Sequence, residues 1–142
     1  MSKSEYPKIV IGALIYNEEN KIFLGKSNKW GDRWIVPGGH LELGETFVEC
    51  IKREVREETN LEISDIELIG IQESIFSEEF HKKRHMIFLD YCCLANNSSD
   101  IKLNDEIQEY IWIKPEEALE KLILAKTTVN FIKSYIDKKR VI

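Results

Sequence analysis

Residues 46–59 restrict the fold of this chain more than any other segment, because their apolar positions recur with a helical period. The spacing i, i+1, i+4, i+8 predicts a single apolar stripe made of Phe47, Val48, Ile51 and Val55. Thr46 or Glu45 can cap the start of this helix, and Asn60 can end it in the left-handed conformation. The segment therefore predicts an amphipathic helix that is anchored in a core along one side.

Three glutamates lie beside this stripe and not opposite it. Their spacing of i, i+3 and i+4 places them within one arc of about 100°; they are Glu54, Glu57 and Glu58. The like-charge pair at i, i+4 costs about 0.2–0.5 kcal/mol, and the helix dipole disfavours anions near the C-terminal end. A divalent cation would relieve both costs, because Mg²⁺ prefers hard oxygen ligands. The helix alone also leaves open a solvated face with ordinary ion pairs to Arg53.

Glycines before the helix favour the metal site over the solvated face. Gly38 and Gly39 follow a short strand directly and allow a tight backbone, whose carbonyls and amides can ligate a metal or approach a phosphate. Gly44 makes a second turn, and Glu45 can reach Arg53 two helical turns further on. Together with the strands on either side, these residues predict a compact loop–helix–loop catalytic unit.

Strand patterns surround the acidic helix, and helical patterns end the chain. We predict strands at residues 8–16, 21–27, 34–36, 66–76, 85–95 and 110–113, the first two forming a hairpin. We predict helices at residues 115–124 and 127–139. This order indicates an α/β protein with one domain over residues 1–142 and a mixed central sheet between helical layers.

The composition indicates which kinds of partner and which cellular compartment to expect for this chain. The chain has 142 residues and a formal net charge of −5, which argues against a nucleic-acid partner. No apolar run approaches the roughly 20 residues of a membrane span, and the N-terminus lacks the order of a signal peptide. The three cysteines, Cys50, Cys92 and Cys93, have no metal-binding spacing and are expected to be buried reduced thiols. These features predict a cytoplasmic protein without a membrane partner.

Residues 39–61 resemble the Nudix box, G-x5-E-x7-R-E-U-x-E-E-x-G-U, where U is aliphatic. The matching residues are Gly39, Glu45, Arg53, Glu54, Val55, Glu57, Glu58 and Leu61. Asn60 stands where the family usually has Gly, and because Asn tolerates the left-handed conformation we expect retained geometry at a small cost in stability. The resemblance implies the Nudix α/β/α sandwich with its loop–helix–loop catalytic motif.

The resemblance also implies an activity and a set of site residues. Nudix enzymes hydrolyse the diphosphate linkage of a nucleoside diphosphate joined to another group, using Mg²⁺ or Mn²⁺. By resemblance the metal ligands are Glu54, Glu57, Glu58 and the backbone carbonyl of Gly39 or Gly38. Glu54 is also the box residue that deprotonates water in some members, and Arg53 with Glu45 looks like an orienting ion pair.

Residues outside these positions complete the set of site candidates. The general base varies within the family, and the candidates outside the box are Glu106 and Glu109. The candidates for substrate binding are Gly38, His40, Phe76 and Arg84. Aromatic side chains beside residues 77–84 could stack on a base and the cations there could meet a triphosphate; the alternative is a solvated hairpin tip.

The substrate stays open between several classes. The loop GGHLELGE looks like that of members acting on nucleoside triphosphates, which favours hydrolysis of a triphosphate, normal or modified, to the monophosphate and pyrophosphate. The alternatives are hydrolysis of ADP-ribose or a sugar nucleotide, a nucleotide-sensing domain without turnover, and trimming of an RNA 5′ triphosphate. Many family members dimerise, so a homodimer also stays open.

Overall fold

The computed structural model describes residues 6–140, so the outermost residues of the predicted domain, 1–5 and 141–142, lie outside it. The strands are β1 (Lys8–Tyr16), β2 (Ile22–Ser27), β3 (Arg33–Ile35), β4 (Gly38–His40), β5 (Ile63–Ile75), β6 (His85–Ala95) and β7 (Glu109–Ile113). The α-helices are α1 (Phe47–Thr59), α2 (Pro115–Lys121) and α3 (Lys126–Arg140). Within residues 6–140, none of these helices is long and apolar enough to cross a membrane.

Strand β1 lies at the centre of the sheet and is covered on both faces. Ile11, Ala13 and Ile15 pack into a cluster with residues of α1. Leu14 packs into a second cluster with residues of α2 and α3. Because successive side chains of a strand point to opposite faces, α1 and α3 cover opposite faces of the sheet, as the predicted α/β/α sandwich requires. Burial on both faces explains why β1 reads as a nearly continuous apolar run.

The sheet forks beside β1. Strand β1 pairs in parallel with β6 and antiparallel with β4, and β5 lies outside β6. Strand β2 pairs with β3 and β7. The two groups of strands join where β1 and β2 pair next to their turn, at Tyr16 and Ile22. Beyond that point they diverge, and the space between them holds the cavity described below.

The acidic helix begins and ends where the sequence indicates. Thr46 caps α1 and forms a reciprocal capping box with Glu49, in which each side chain accepts a hydrogen bond from the other residue's backbone N–H. Asn60 ends the helix in the left-handed conformation, with φ of 67°. Its side chain also donates a hydrogen bond to the carbonyl of Asp100, at 3.1 Å, so Asn supplies an anchor that Gly would lack.

The predicted apolar stripe is wrong in the first turn of α1. Phe47 and Val48 are 44% and 43% exposed, so the first turn of the helix does not belong to its buried face. The residues of α1 that are buried are instead Cys50, Ile51, Val55, Glu58 and Thr59. The buried face is therefore rotated towards the C-terminal carboxylates, and it takes Glu58 into the interior.

Two short elements differ from the predicted loops. Gly38–His40 forms β4 instead of an irregular loop, because it pairs antiparallel with the N-terminal half of β1. The predicted loop after β2 contains a 3₁₀ helix at Asn28–Trp30, which Ser27 caps through its side chain. The predicted helix at 115–124 ends at Lys121. Of these differences, the one that matters for the site is β4, because it places a glycine-rich strand directly beside the acidic helix.

Candidate functional site

A cavity of about 500 Å³ occupies the fork in the sheet. Its wall includes the glutamates of α1 on one face of the sheet and Thr127, Thr128 and Phe131 of α3 on the other. The strand β4 and the middle of β6 contribute the wall between them. This volume is typical of a small-molecule site, and the cavity gives one ligand access to both helical layers.

The structure brings the predicted glutamates to this cavity with different degrees of burial. Glu54, Glu57 and Glu58 all line it. Glu58 is only 4% exposed, and its Oε1 lies 3.5 Å from the backbone N–H of Gly38. Burial, followed by the adjacent Glu54 carboxylate, raises the pKa of Glu58 far above its ordinary value. No ion pair within residues 6–140 involves Glu58, so its charge has no fixed cationic partner there.

Arg53 organises the carboxylates around it. Its Nε lies 2.6 Å from Oε2 of Glu45 and its Nη2 lies 3.0 Å from Oε1, which is a bidentate pair. Its Nη1 also donates to Glu54, at 2.8 Å, and approaches Glu57, at 3.5 Å. The hydrogen bonds from Arg53 lower the pKa of Glu45 to about 2. The predicted ion pair between Arg53 and Glu45 is therefore present, and it ties the loop before α1 to the middle of the helix.

The absence of side chains at Gly38 and Gly39 lets β4 approach α1. A β-carbon at Gly39 would lie 2.4 Å from Cδ of Glu54 and 2.5 Å from both carboxylate oxygens. A β-carbon at Gly38 would lie 2.1 Å from the carbonyl oxygen of Ile11. Both distances are shorter than any tolerable contact. At Gly38 the obstacle is backbone, so only glycine fits there, whereas an added carbon at Gly39 would displace the Glu54 carboxylate from its observed position.

The donor set fits a divalent cation in its chemistry. Hard carboxylate oxygens from Glu54 and Glu58 meet the backbone of β4 in a cradle that a β-carbon would fill. Within residues 6–140, however, no three His, Cys, Asp or Glu side chains already stand close enough together to hold a metal. Glu57 is half exposed and turned towards Arg53, so the cation would require Glu57 to leave that partner.

The predicted substrate-binding residues do not all reach the cavity. Gly38 and His40 line it, whereas Arg84 is not part of the wall and is connected to it only through His40, whose Nε2 lies 3.4 Å from Nη1 of Arg84. Burial, then the Arg84 charge, lowers the pKa of His40. Phe76 is 59% exposed and is absent from the cavity wall, because it follows β5 at the start of the hairpin connection. The structure thus places Gly38 and His40 at the cavity, Arg84 beside His40, and Phe76 away from it.

Of the two phenylalanines at the hairpin connection that the sequence offers for stacking on a base, Phe80 reaches the cavity and Phe76 does not. The Phe80 ring lies 4.7 Å from that of Trp30, centroid to centroid, and both side chains line the cavity. Phe88 of β6 adds a third ring, 6.4 Å from Trp30. The hairpin connection is held in place because the backbone N–H of His81 donates to the carbonyl of Lys29. These rings form an aromatic wall against which a planar group can stack.

Of the two candidate bases outside the box, the structure brings one to the cavity. Glu106 lines the cavity and pairs with Lys29, whose Nζ lies 2.5 Å from its Oε2. Glu109 begins β7, is exposed and is not part of the wall. Because Lys29 is also a wall residue, the cavity has a cation as well as carboxylates at its border.

A buried polar group on the α3 side escaped the sequence reasoning. Asp90 of β6 is 2% exposed and lines the cavity, and it accepts a hydrogen bond from Gln72 of β5 at 2.7 Å. The signal that could have found it is a single acid within the otherwise apolar strand HMIFLDYCCLA. A charge at such a position is seldom structural unless it has a partner.

Comparison with known proteins finds a matching family model and proteins of similar sequence. The family model described as NUDIX domain matches residues 6–135. The nucleoside triphosphatase NudI of Salmonella schwarzengrund is 38% identical over 91 residues, which are 60% of this chain and 64% of that relative. The matched stretch thus spans less than two thirds of the relative's length.

Solved structures share the fold over nearly the whole chain. A MutT protein from Methanosarcina mazei Go1 superposes with a TM-score of 0.75 at 25% identity, covering 97% of this chain and 99% of that one. The NUDIX domain of Shewanella oneidensis NrtR, solved in complex with ADP ribose, gives a TM-score of 0.77 at 14% identity, with coverages of 94% and 89%. The second likeness concerns the fold alone.

Proposed function

The chain belongs to the NUDIX domain family, and on that premise we propose that it is a metal-dependent pyrophosphohydrolase. Its proposed substrate is a nucleoside triphosphate, normal or modified, which it converts to the monophosphate and pyrophosphate. The proposed metal is Mg²⁺ or Mn²⁺, held by Glu54, Glu57, Glu58 and the carbonyl of Gly39. Gly38, His40 and Arg84 are the proposed contacts to the phosphates.

The observation that carries this proposal is the contact between a buried acidic pair and a glycine strand. Glu58 is buried beside Glu54, Arg53 pairs with Glu54 but no ion pair within residues 6–140 reaches Glu58, and the backbone of Gly39 contacts the Glu54 carboxyl group. Ionising Glu58 in this position is costly, because burial and the neighbouring Glu54 carboxylate both oppose a second negative charge. Such an arrangement is useful where a cation and an anionic substrate enter together.

The chemistry is the attack of water on a phosphorus atom. Its main barrier is repulsion between the nucleophile and the anionic phosphates. A bound divalent cation would neutralise phosphate charge and lower the pKa of a water ligand. Arg53 holds the Glu54 side chain at 2.8 Å and is itself fixed by Glu45, so the carboxylate stays oriented during the reaction.

Two carboxylates are candidates to accept the proton from the attacking water. Glu54 lies in the cavity wall against Gly39. Glu106 also lies in that wall, and both residues pair with a cation, Glu54 with Arg53 and Glu106 with Lys29. Glu54 is in addition the box residue that deprotonates water in some family members. We therefore propose Glu54 as the base and give Glu106 the second place. A positioned base of this kind contributes about 10²–10⁴-fold to the rate.

The test is a panel of nucleotides with chromatographic separation of products in Mg²⁺. The expected result is release of pyrophosphate and a monophosphate from one or more triphosphates. Glu57→Gln and Glu58→Gln should retain the fold and lower kcat by roughly 100-fold or more. Glu120→Gln, an exposed residue on α2, is the matched control and should keep full turnover. Undiminished Mg²⁺-dependent hydrolysis in both test variants would refute the metal assignment.

ADP-ribose is the second candidate substrate. The NUDIX domain of NrtR, which shares this fold, was solved in complex with ADP ribose, and the cavity here has the volume of a nucleotide site. The same panel separates the two, because ADP-ribose would yield AMP and ribose 5-phosphate instead of pyrophosphate. Tight binding of either compound without turnover would indicate a sensor, which has no evident need for all three box glutamates.

A further inference from the structure

The Asp90 carboxyl has one satisfied oxygen and one free oxygen. Oδ2 accepts the hydrogen bond from Nε2 of Gln72 at 2.7 Å. Oδ1 has no hydrogen-bond donor among residues 6–140, and no Lys, Arg or His of that part of the chain forms an ion pair with Asp90. Burial raises the pKa of Asp90 to about 7. A buried carboxyl left in this state costs stability, so it calls for an explanation beyond packing.

Gln72 fixes the carboxyl in place and offers nothing further to a ligand. Its Nε2 donates to Asp90 and also to the backbone carbonyl of Thr127, at 2.8 Å. Its Oε1 accepts from Nδ2 of Asn130 at 3.0 Å. Both amide hydrogens are therefore used and the side chain cannot turn. This network ties β5, β6 and α3 together and leaves Oδ1 of Asp90 as the free acceptor.

The surroundings of the free oxygen suit a flat, partly apolar ligand. Met86, Phe88 and Phe131 line the same cavity, and so do Trp30 and Phe80, whose rings are in contact at a tilt of 53°. Gly12 faces both Phe131 and Asp90. A β-carbon at Gly12 would lie 3.1 Å from the ring of Phe131 and 3.7 Å from Oδ1 of Asp90. The lack of a side chain at this position keeps the space beside Oδ1 open.

The sheet register relates this oxygen to the acidic helix. Gly12 of β1 pairs with Gly38 on one side and with Asp90 on the other. Neighbouring strands are about 4.8 Å apart, so the backbones of Gly38 and Asp90 are separated by roughly two such spacings. A nucleotide can bridge that separation with its phosphates at the glutamates and its base among the aromatic rings.

We propose that Asp90 determines the base specificity of this site by accepting a hydrogen bond from an exocyclic amino group. The expected substrates are then nucleotides of amino-bearing bases such as cytosine or adenine. Their keto counterparts, uracil and hypoxanthine, present a carbonyl oxygen to the same carboxylate oxygen and are disfavoured by repulsion. This inference rests on the proposed hydrolysis of nucleoside triphosphates and adds the class of base to it.

The experiment compares kcat/KM for CTP with UTP and for ATP with ITP at pH 8.5, where Asp90 is ionised. In the unmodified protein we expect the amino member of at least one pair to be preferred by about 10- to 100-fold, the loss typical of an unmade hydrogen bond to a charged group. Asp90→Asn carries an amide that donates as well as accepts, so it should reduce that preference at least tenfold. Asp137→Asn, an exposed acid on α3, is the matched control and should leave the preference unchanged.

A second measurement needs no variant and so does not depend on the folding of Asp90→Asn. The triphosphate of a pyrimidin-2-one nucleoside, which lacks the 4-amino group, should be used about as poorly as UTP. Equal use of the two members in both pairs, or an unchanged preference in a folded Asp90→Asn protein, would overturn the proposal. For a protein that prefers CTP to UTP, use of the analogue as well as CTP would also overturn it. Failure to hydrolyse every triphosphate would instead refute the proposed function itself, so the two failures are distinguishable.

Discussion

Gly39 and Glu54 are in direct contact across the boundary between the sheet and the acidic helix. A β-carbon at Gly39 would lie 2.4 Å from Cδ of the Glu54 carboxyl group. The glutamate can therefore occupy its observed position only because the strand opposite carries no side chain there. This contact joins the two parts of the candidate site, the backbone of β4 and the carboxylates of α1, in one rigid arrangement.

Gly39→Ala should displace the Glu54 side chain and lower kcat by roughly 100-fold, the order of loss expected for a misplacement of about 1 Å at a reacting centre. Circular dichroism should show a folded protein, since a side-chain rotation can relieve the clash. Gly44→Ala is the control, because its φ is 83° but nothing lies within 4 Å of the added carbon. It should lose stability through backbone strain and keep its turnover. Full activity in Gly39→Ala would contradict the assignment.

Arg53→Lys should lower kcat by about 10- to 100-fold, as for other residues that orient metal ligands. A lysine cannot make the bidentate pair with Glu45 and hold Glu54 at the same time. Steady-state kinetics in saturating Mg²⁺ measure the effect. Arg56→Lys, at an exposed arginine that pairs with Glu62, is the control and should leave kcat unaltered. An equal loss in both variants would indicate a general effect of charge geometry on the helix.

Asn60→Ala should lower the free energy of unfolding by about 1–2 kcal/mol, because alanine lacks both asparagine's tolerance of the left-handed conformation and its hydrogen bond to the Asp100 carbonyl. Asn60→Gly should stay within about 0.5 kcal/mol of the unmodified protein. Glycine removes the strain, but it also removes the hydrogen bond to the Asp100 carbonyl. Urea denaturation measures both changes. The account fails if alanine is tolerated as well as glycine.

The ionisation of Asp90 should make the protein less stable as pH rises. Its pKa is about 7 in the folded state against an ordinary value of 3.8, so the folded protein binds the proton more tightly than the unfolded chain does. The resulting stabilisation is complete below pH 3.8 and is lost as pH rises to about 7. The shift corresponds to at most about 4 kcal/mol.

Asp90→Asn isolates this contribution, because asparagine resembles the neutral acid and does not titrate. The variant's free energy of unfolding relative to the unmodified protein should increase between pH 4.5 and pH 7 and then level off. Asp137→Asn should show a constant difference over the same range. Urea denaturation at four pH values provides the measurement, and a flat difference for Asp90→Asn would mean that the carboxyl is not destabilised by burial.

Most of the fold could be predicted from the sequence, because its signals are local. The capping box at Thr46, the left-handed end at Asn60 and the alternation of the strands each depend on neighbouring residues. The bidentate pair of Arg53 and Glu45 could also be predicted, since both lie in one continuous motif. The roles of these residues in catalysis remain predictions.

The parts that were missed depend on contacts between distant segments. The sequence does not show that β4 adds to β1, which turns a glycine loop into a strand, nor that the buried face of α1 includes Glu58. The sequence offers both Phe76 and Phe80 for stacking, but it does not show that only Phe80 of the two reaches the cavity, where a backbone hydrogen bond holds the hairpin connection to Lys29. Asp90 and Gln72 are eighteen residues apart in sequence and meet only through the pairing of β5 with β6.

The fork in the sheet has a consequence for how the specificity of such a protein can change. The carboxylates project from one helical layer and the polar network around Gln72 belongs to the other, while β1 runs between them. On the proposed function, substitutions on α3 are expected to act on nucleotide choice through the Gln72 network, and the helix proposed to carry out hydrolysis lies in the other layer. A scaffold divided in this way allows new substrates to be adopted while the chemistry is kept.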